Sequence, residues 1–393
     1  MKRNRIIGTG LLLALAWAVP GAARSENLPE YSAARLAELQ RLENDPQTKR
    51  ETAAWRQAST EATQQHLRAL AAQGGARDLL AASMLWSGLG MWSDTAAPVP
   101  ARPAQETRVW FDAARQARPR DTLVAWMEAS DCAGLSDSCN PAEALQFLLQ
   151  VESDNAAVQL LALAAADKRE DHKAAQAHWQ AAATATRYDP HMLDIGQLLH
   201  GAMRNVPQPP LGPRVAEAIG FQYGLGRPAT AQEIADVGVI GMTTALAMPA
   251  FLPASRQCTA EAIAKAGNSR AIECERIMAL LAEEQSTVIA PMIGLPAMVR
   301  LSGDTGEGKA WRERLRQLYW VYENALQRMP GLTQGAPLPA EYGTWFLTEG
   351  ELSAMRKLLQ HHGLPSTAPA GWLPRDPRYR ALVTTGREPL PAG

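Results

Sequence analysis

The chain has 393 residues, of which 46% are hydrophobic and 20% charged, and its formal net charge is −1. These values suit a soluble protein with a real core and exclude global disorder. A nearly neutral body gives no electrostatic reason to expect nucleic acid or an anionic membrane surface as partner.

The first 23 residues read as a secretory leader. Lys2, Arg3 and Arg5 make a basic start, Ile6 to Val19 an apolar stretch, and Pro20-Gly21-Ala22-Ala23 a small-residue end. Gly21 and Ala23 stand where signal peptidase requires small side chains, which places cleavage between Ala23 and Arg24. The apolar stretch is shorter than the roughly 20 residues that span a bilayer as a helix. Further along, Ile240 to Leu252 comes nearest to a span, but Thr243, Thr244 and Pro249 interrupt it. No integral span is therefore expected once the leader is removed.

Helix signals then follow in order. Asp45-Pro46 supplies an N-cap and a first-turn proline, and Trp55, Ala58, Ala62, Leu67 and Leu70 form a stripe behind it. Ala96 to Pro103 is rich in Ala and Pro and reads as a connection. Asn140-Pro141-Ala142-Glu143 is a second start, with a Glu able to reach back, and Asp189-Pro190 repeats the device. Val206 to Pro213 carries four prolines, cannot be helix, and is the best domain boundary. Thr230-Ala231-Gln232-Glu233 is a capping box. From Glu307, residues Trp311, Leu315, Leu318, Tyr319, Tyr322 and Leu326 recur at helical spacing, with Arg312, Arg314 and Arg316 off the stripe. The 11 Trp residues are expected to serve helix packing. From Pro365 the chain is dense in Pro and Gly, with Trp372 and Tyr379 able to tack it to the body and a loose end beyond. No alternation of apolar and polar residues lasts long enough to predict a sheet.

In an exported chain four cysteines read as disulfides. Proximity favours Cys132 with Cys139, across a polar turn, and Cys258 with Cys274, across a turn between helices. Closing rings of this size is worth about 3 kcal/mol. Neither pair has the two-to-four-residue spacing of a zinc site, and there is no Cys-x-x-Cys.

Arg120-Asp121, Ser153-Asp154 and Tyr188-Asp189 each close one helix and begin the next, at a spacing that suits a helix hairpin repeated along a solenoid. Residues 155–188 fill one such unit, with Ala162, Ala174 and Ala181 where two backbones must approach closely. Over about residues 105–190 the chain thus resembles the tetratricopeptide repeat family, whose period is about 34 residues. It departs from that pattern at Ala165, where an aromatic is usual, and at Thr186, where the family has proline. An alanine-rich antiparallel bundle gives a similar signal. The resemblance implies a curved stack whose inner face binds peptides or partner proteins.

The fold expected is all-α: TPR-like helical hairpin repeats followed by a second helical bundle. The divisions are a leader at 1–23, a repeat region at 24–205, a linker at 206–213, a second helical region at 214–364 and a tail at 365–393.

Chemistry is sparse. The sequence lacks a Gly-x-Ser-x-Gly elbow, His-Glu-x-x-His and a phosphate-binding glycine loop. His361 and His362 sit side by side on a helix end, about 100° apart around its axis, and read as cations at a helix terminus. His172 and His178 are off one face, and His200 with Asp194 has no local spacing that joins them. Glu283-Glu284 and Glu349 with Glu351 are the visible carboxylate pairs, and neighbouring acids on helices are ordinarily solvated. Glu341 to Phe346 sets aromatics beside an acid and reads as a docking segment. No residue is assigned a catalytic, cofactor-binding or metal-ligating role. The leading expectation is an exported scaffold, periplasmic or secreted, that binds a protein or peptide in the cell envelope. The alternative is an envelope enzyme that hydrolyses cell-wall glycan or peptide with dispersed catalytic residues.

Overall fold

A computed structural model describes residues 44–89, 103–223, 225–246, 251–329 and 338–388, together with residues 37, 41 and 42. The leader with its Ala23/Arg24 junction, and most of the 96–103 connection, lie outside the described residues. The described residues are helical, with no strand; Asn155 and Arg187 form one isolated parallel bridge.

The helices run α1 (Pro46–Ala71), α2 (Ala76–Gly88), α3 (Gln105–Gln116), α4 (Thr122–Ser130), α5 (Pro141–Val151), α6 (Ala156–Lys168), α7 (His172–Thr184), α8 (Met192–Arg204) and α9 (Pro213–Gln222). They continue as α10 (Ala231–Ala245), α11 (Phe251–Gln257), α12 (Ala260–Ala266), α13 (Asn268–Glu283), α14 (Ile289–Ser302) and α15 (Gly306–Leu326). The last are α16 (Tyr342–Glu349), α17 (Glu351–His361) and α18 (Pro377–Thr385).

Local chemistry sets most starts. The Asp45 carboxylate accepts from the Thr48 amide at 2.8 Å, and Asp121 caps α4 through the Leu123 amide at 2.8 Å. Thr230 and Glu233 complete the capping box of α10. Two expected starts differ. Asn140 caps α5, but its backbone amide is taken at 2.9 Å by Glu128 and not by Glu143. At Asp189-Pro190 the helix begins later, because His191 adopts φ 56° and α8 starts at Met192. The stripe on α1 is also shifted. Ala58 is exposed, and Thr48, Thr63, Leu67 and Ala71 form the buried face.

Consecutive helices pair as hairpins: α2 with α3, α4 with α5, and α6 with α7. Helix α6 is buried around most of its girth, with Ala156, Ala157, Ala162 and Ala166 admitting its neighbours closely. Asn155, fully buried, ties one hairpin to the next: its Oδ1 accepts from the Asp189 amide at 3.0 Å and its Nδ2 donates to the Asp189 carbonyl at 2.9 Å. After the proline-rich stretch, α13, α14 and α15 pack in sequence. Gly294 sets the closest approach, since a Cβ there would meet the Ala282 amide nitrogen at 2.4 Å. One apolar cluster runs from Leu67 to Leu382, across the proline-rich stretch, and a satellite gathers Val215, Ile219, Leu225, Ala229 and Ile234.

Both cysteine pairs lie at disulfide distance, with Cα separations of 6.1 Å for Cys132–Cys139 and 5.5 Å for Cys258–Cys274. The second ring holds α12 as well as turns. The tail segment is more ordered than its composition suggests. Asp376 caps α18, Tyr379 stacks on Tyr319 at 4.2 Å, and Trp372 meets the Trp320 ring edge-on at 5.3 Å. No helix among the described residues is long and apolar enough to cross a membrane.

Candidate binding cleft

A cleft of about 360 Å³ opens between α1, α2, α8 and α10. Its walls come from Trp55 on α1, Leu85 on α2, Met203 on α8, and Ile234, Val239 and Met242 on α10. Ala53, Ala231 and Ala235 leave the space that larger side chains would fill. The polar groups are neutral apart from Arg56: Gln57, Ser59, Thr60 and Thr63 line the α1 side, and Gln208 the proline-rich stretch. No carboxylate lines it.

The proline-rich stretch, barred from helix, has become one wall of this cleft. The Trp55 indole N–H donates to the Pro209 carbonyl at 3.2 Å, and the Ser59 hydroxyl donates to the Gln208 side chain at 2.7 Å. These contacts fix α1 against residues about 150 positions away. The volume falls within the range typical of small-ligand pockets, and apolar walls with a few amides and hydroxyls can hold a side chain while pairing with a backbone.

Three buried polar centres lie outside the cleft lining. His200 and Asp236, both nearly sealed, meet at 3.1 Å across α8 and α10, and Asp236 also accepts from Gln232 at 2.7 Å. His200 Nε2 finds no hydrogen-bond partner. His200 thus pairs with Asp236, whereas Asp194 lies 3.3 Å from His191.

The second centre joins Glu152 and His191 at 3.0 Å. Burial alone would raise the Glu152 carboxyl, but hydrogen bonds from His191 and Asn155, with the charges of His191 and Arg187, overcome it and bring the pKa down to about 2. On His191 burial works against the charged ring, yet Glu152, Asp189 and Asp194 hold its pKa above the ordinary value.

The third centre comes from the two carboxylate pairs visible in the sequence, but divides each. Glu283 reaches Arg314 and Glu349 reaches Lys357, all partly or fully exposed. Their neighbours Glu284 and Glu351 turn inward. Glu284 accepts from the Thr287 amide at 3.0 Å, and Glu351 from the Val288 amide at 2.8 Å, leaving Glu351 Oε1 without a partner. Burial, reinforced by the charge of Glu284, pushes Glu351 up to about 7 against the pull of the Val288 amide. Gly350, at φ 91°, makes this possible by ending α16 and starting α17 in one step. Neither acid lines the cleft.

The remaining sequence candidates are dispersed. His361 and His362 stand edge-on with ring centres 5.1 Å apart, and burial, His361 and Arg328 lower the His362 pKa. His178 pairs with Gln159 at 3.1 Å, while His172 opens α7. The Glu341–Phe346 segment forms the start of α16, which docks on α8 and α10 with Tyr342 buried. Neither the cleft nor the Glu152–His191 contact was assigned from sequence. The spacing Asp189-x-His191-x-x-Asp194 is the one signal that could have drawn attention to the latter. No family model matches the chain, nor does any curated protein or solved structure.

Proposed function

We propose that this protein is an exported helical scaffold whose cleft receives apolar side chains from a peptide segment of a protein partner in the cell envelope. The cleft carries the reading: it combines Trp55, Met203 and Met242 with neutral donors and acceptors from Gln57, Thr60 and Gln208. Apolar walls reward burial of a side chain, and amide or hydroxyl groups match a peptide backbone without demanding a charge. The successive hairpins support a TPR-like array. The basic-apolar-small leader and the two cysteine pairs support a compartment in which thiols oxidise. The paired acids Glu284 and Glu351 give hydrolysis no comparable support, because they are sealed in the core.

The test is to pan a displayed random-peptide library against the oxidised mature protein. Enriched peptides should share a bulky apolar residue and bind about tenfold or more weakly to Ala235→Phe, a loss of at least about 1.4 kcal/mol. Thr60→Phe, filling the cleft from the opposite wall, should act alike with an unchanged helical spectrum. Failure to enrich any peptide, or equal binding by both filled variants, would overturn the reading.

A further inference from the structure

At the entry to α8 three potential ligand atoms converge. His191 Nδ1 lies 3.3 Å from Asp194 Oδ2 and 3.9 Å from Asp189 Oδ2, and all three atoms fall within 4.8 Å of one another. Donors about 2.1 Å from a tetrahedrally bound ion stand about 3.4 Å apart. The first separation already matches that edge, and a small side-chain rotation closes the second. Asp194, 49% exposed, is free to turn, whereas Asp189, 43% exposed, is held by Arg187 on Oδ2 at 3.2 Å and by the His191 amide on Oδ1 at 2.8 Å, so an ion would share or displace that guanidinium. The exposure of both aspartates also leaves a coordination position open to water.

The imidazole supplies an observation independent of the two acids. His191 is only 5% exposed, and its other nitrogen, Nε2, lies 3.0 Å from Glu152 Oε2. Glu152 is itself fixed by Asn155 at 2.9 Å and by Arg187 at 3.3 Å. A carboxylate behind the ring, opposite the ligating nitrogen, is the arrangement that orients metal-bound histidines. Both ring nitrogens face carboxylates, Nε2 towards Glu152 and Nδ1 towards Asp194 and Asp189, so an ion bound at Nδ1 would take the place of a proton there. Local charge agrees: Glu152, Asp154 and Asp189 share one guanidinium, that of Arg187, and among the described residues Asp194 reaches only His191.

We propose that Asp189, His191 and Asp194 bind one divalent transition-metal ion, with Glu152 as the positioning residue behind the imidazole. A mixed nitrogen and oxygen set favours zinc or manganese over calcium or magnesium, which prefer oxygen alone. The site stands apart from the cleft and does not depend on the peptide-binding reading.

Zinc is the probe. Chelator-stripped, disulfide-intact protein is titrated with zinc by calorimetry, and cobalt is added in parallel to read coordination from its visible absorption. The expected result is one zinc per chain. Asp194→Asn should weaken binding by about tenfold or more, and Glu152→Gln by about 10- to 100-fold. Asp194→Asn changes an exposed oxygen and keeps the helical spectrum, so its loss of binding does not reflect unfolding. A His361→Ala/His362→Ala double variant should bind as the wild type does. No stoichiometric zinc, wild-type affinity in Asp194→Asn, or loss of the ion in the double variant would each overturn the proposal.

Discussion

In the N-terminal hairpins a buried acid faces a cation, whereas in the C-terminal half the corresponding acids face backbone amides and each other. Glu128, 1% exposed, receives Arg115 at 2.7 Å and Arg120 at 2.9 Å, one guanidinium on each oxygen. Glu284 and Glu351 are almost as deeply buried, but their hydrogen bonds come from Ser286, Thr287 and Val288. Around Glu351 the titratable neighbours are Glu284, Tyr322 and Tyr342, and none is a cation. A guanidinium compensates a carboxylate in its ionised state. An amide hydrogen bond beside a second acid does not, so the proton itself becomes part of the packing.

The largest expected effect lies on the N-terminal side. Glu128 also accepts from the Asn140 amide, so one side chain links two arginines to the start of α5. Glu128→Ala should destabilise by about 3 kcal/mol, because it removes the deeply buried partner of Arg115 and Arg120 and leaves them only the more exposed acids Asp112 and Glu143. Urea unfolding at pH 7 measures this, and a loss near zero would show that the arginines relax into water. Glu128→Gln keeps an acceptor for Asn140 and should fall between the two.

On the C-terminal side the prediction concerns pH. Below about 4.5 the Glu351 carboxyl is protonated in both folded and unfolded chains. Between there and about 7 the folded chain keeps a proton that the unfolded chain has lost, so this group's contribution to stability falls as pH rises. The full difference is on the order of 3 kcal/mol. Glu351→Gln retains an acceptor for the Val288 amide and cannot ionise. It should match the wild type at pH 4 and exceed it at pH 8, by up to that amount. Parallel stability curves for the two proteins would remove the contrast between the regions.

What the sequence made legible was local. Asp45, Asn140 and Thr230 could be read as caps because each acts on an amide three residues ahead. The cysteine pairs could be read from proximity because their rings are short, 7 and 16 residues. Asp189-Pro190 misled because His191, not Pro190, sets the backbone there, bound to Glu152 39 residues earlier. The carboxylate pairs were visible, but not which member would turn inward. That depends on Gly350 and on Val288, 63 residues before Glu351. The cleft was invisible for the same reason, since only packing brings α1 against the proline-rich stretch and α10.

Glu233 offers the finest test, because it combines both modes of compensation in one residue. Arg227 donates to it at 2.9 Å, while the Thr230 amide and hydroxyl each donate at 2.9 Å. Burial would raise its carboxyl, but Arg227 and Thr230 outweigh that and hold it below the usual range. A lowered carboxylate contributes stability above its ordinary pKa and loses it as pH falls. Arg227 is 34% exposed along its side chain, so Arg227→Ala should cost only about 0.5 to 1 kcal/mol, the range of a screened pair. Thr230→Ala removes a cap and should cost about 1 kcal/mol. If Arg227→Ala costs as much as Glu128→Ala, burial does not set the value of these cations. The difference between the two regions would then lie in the amides alone.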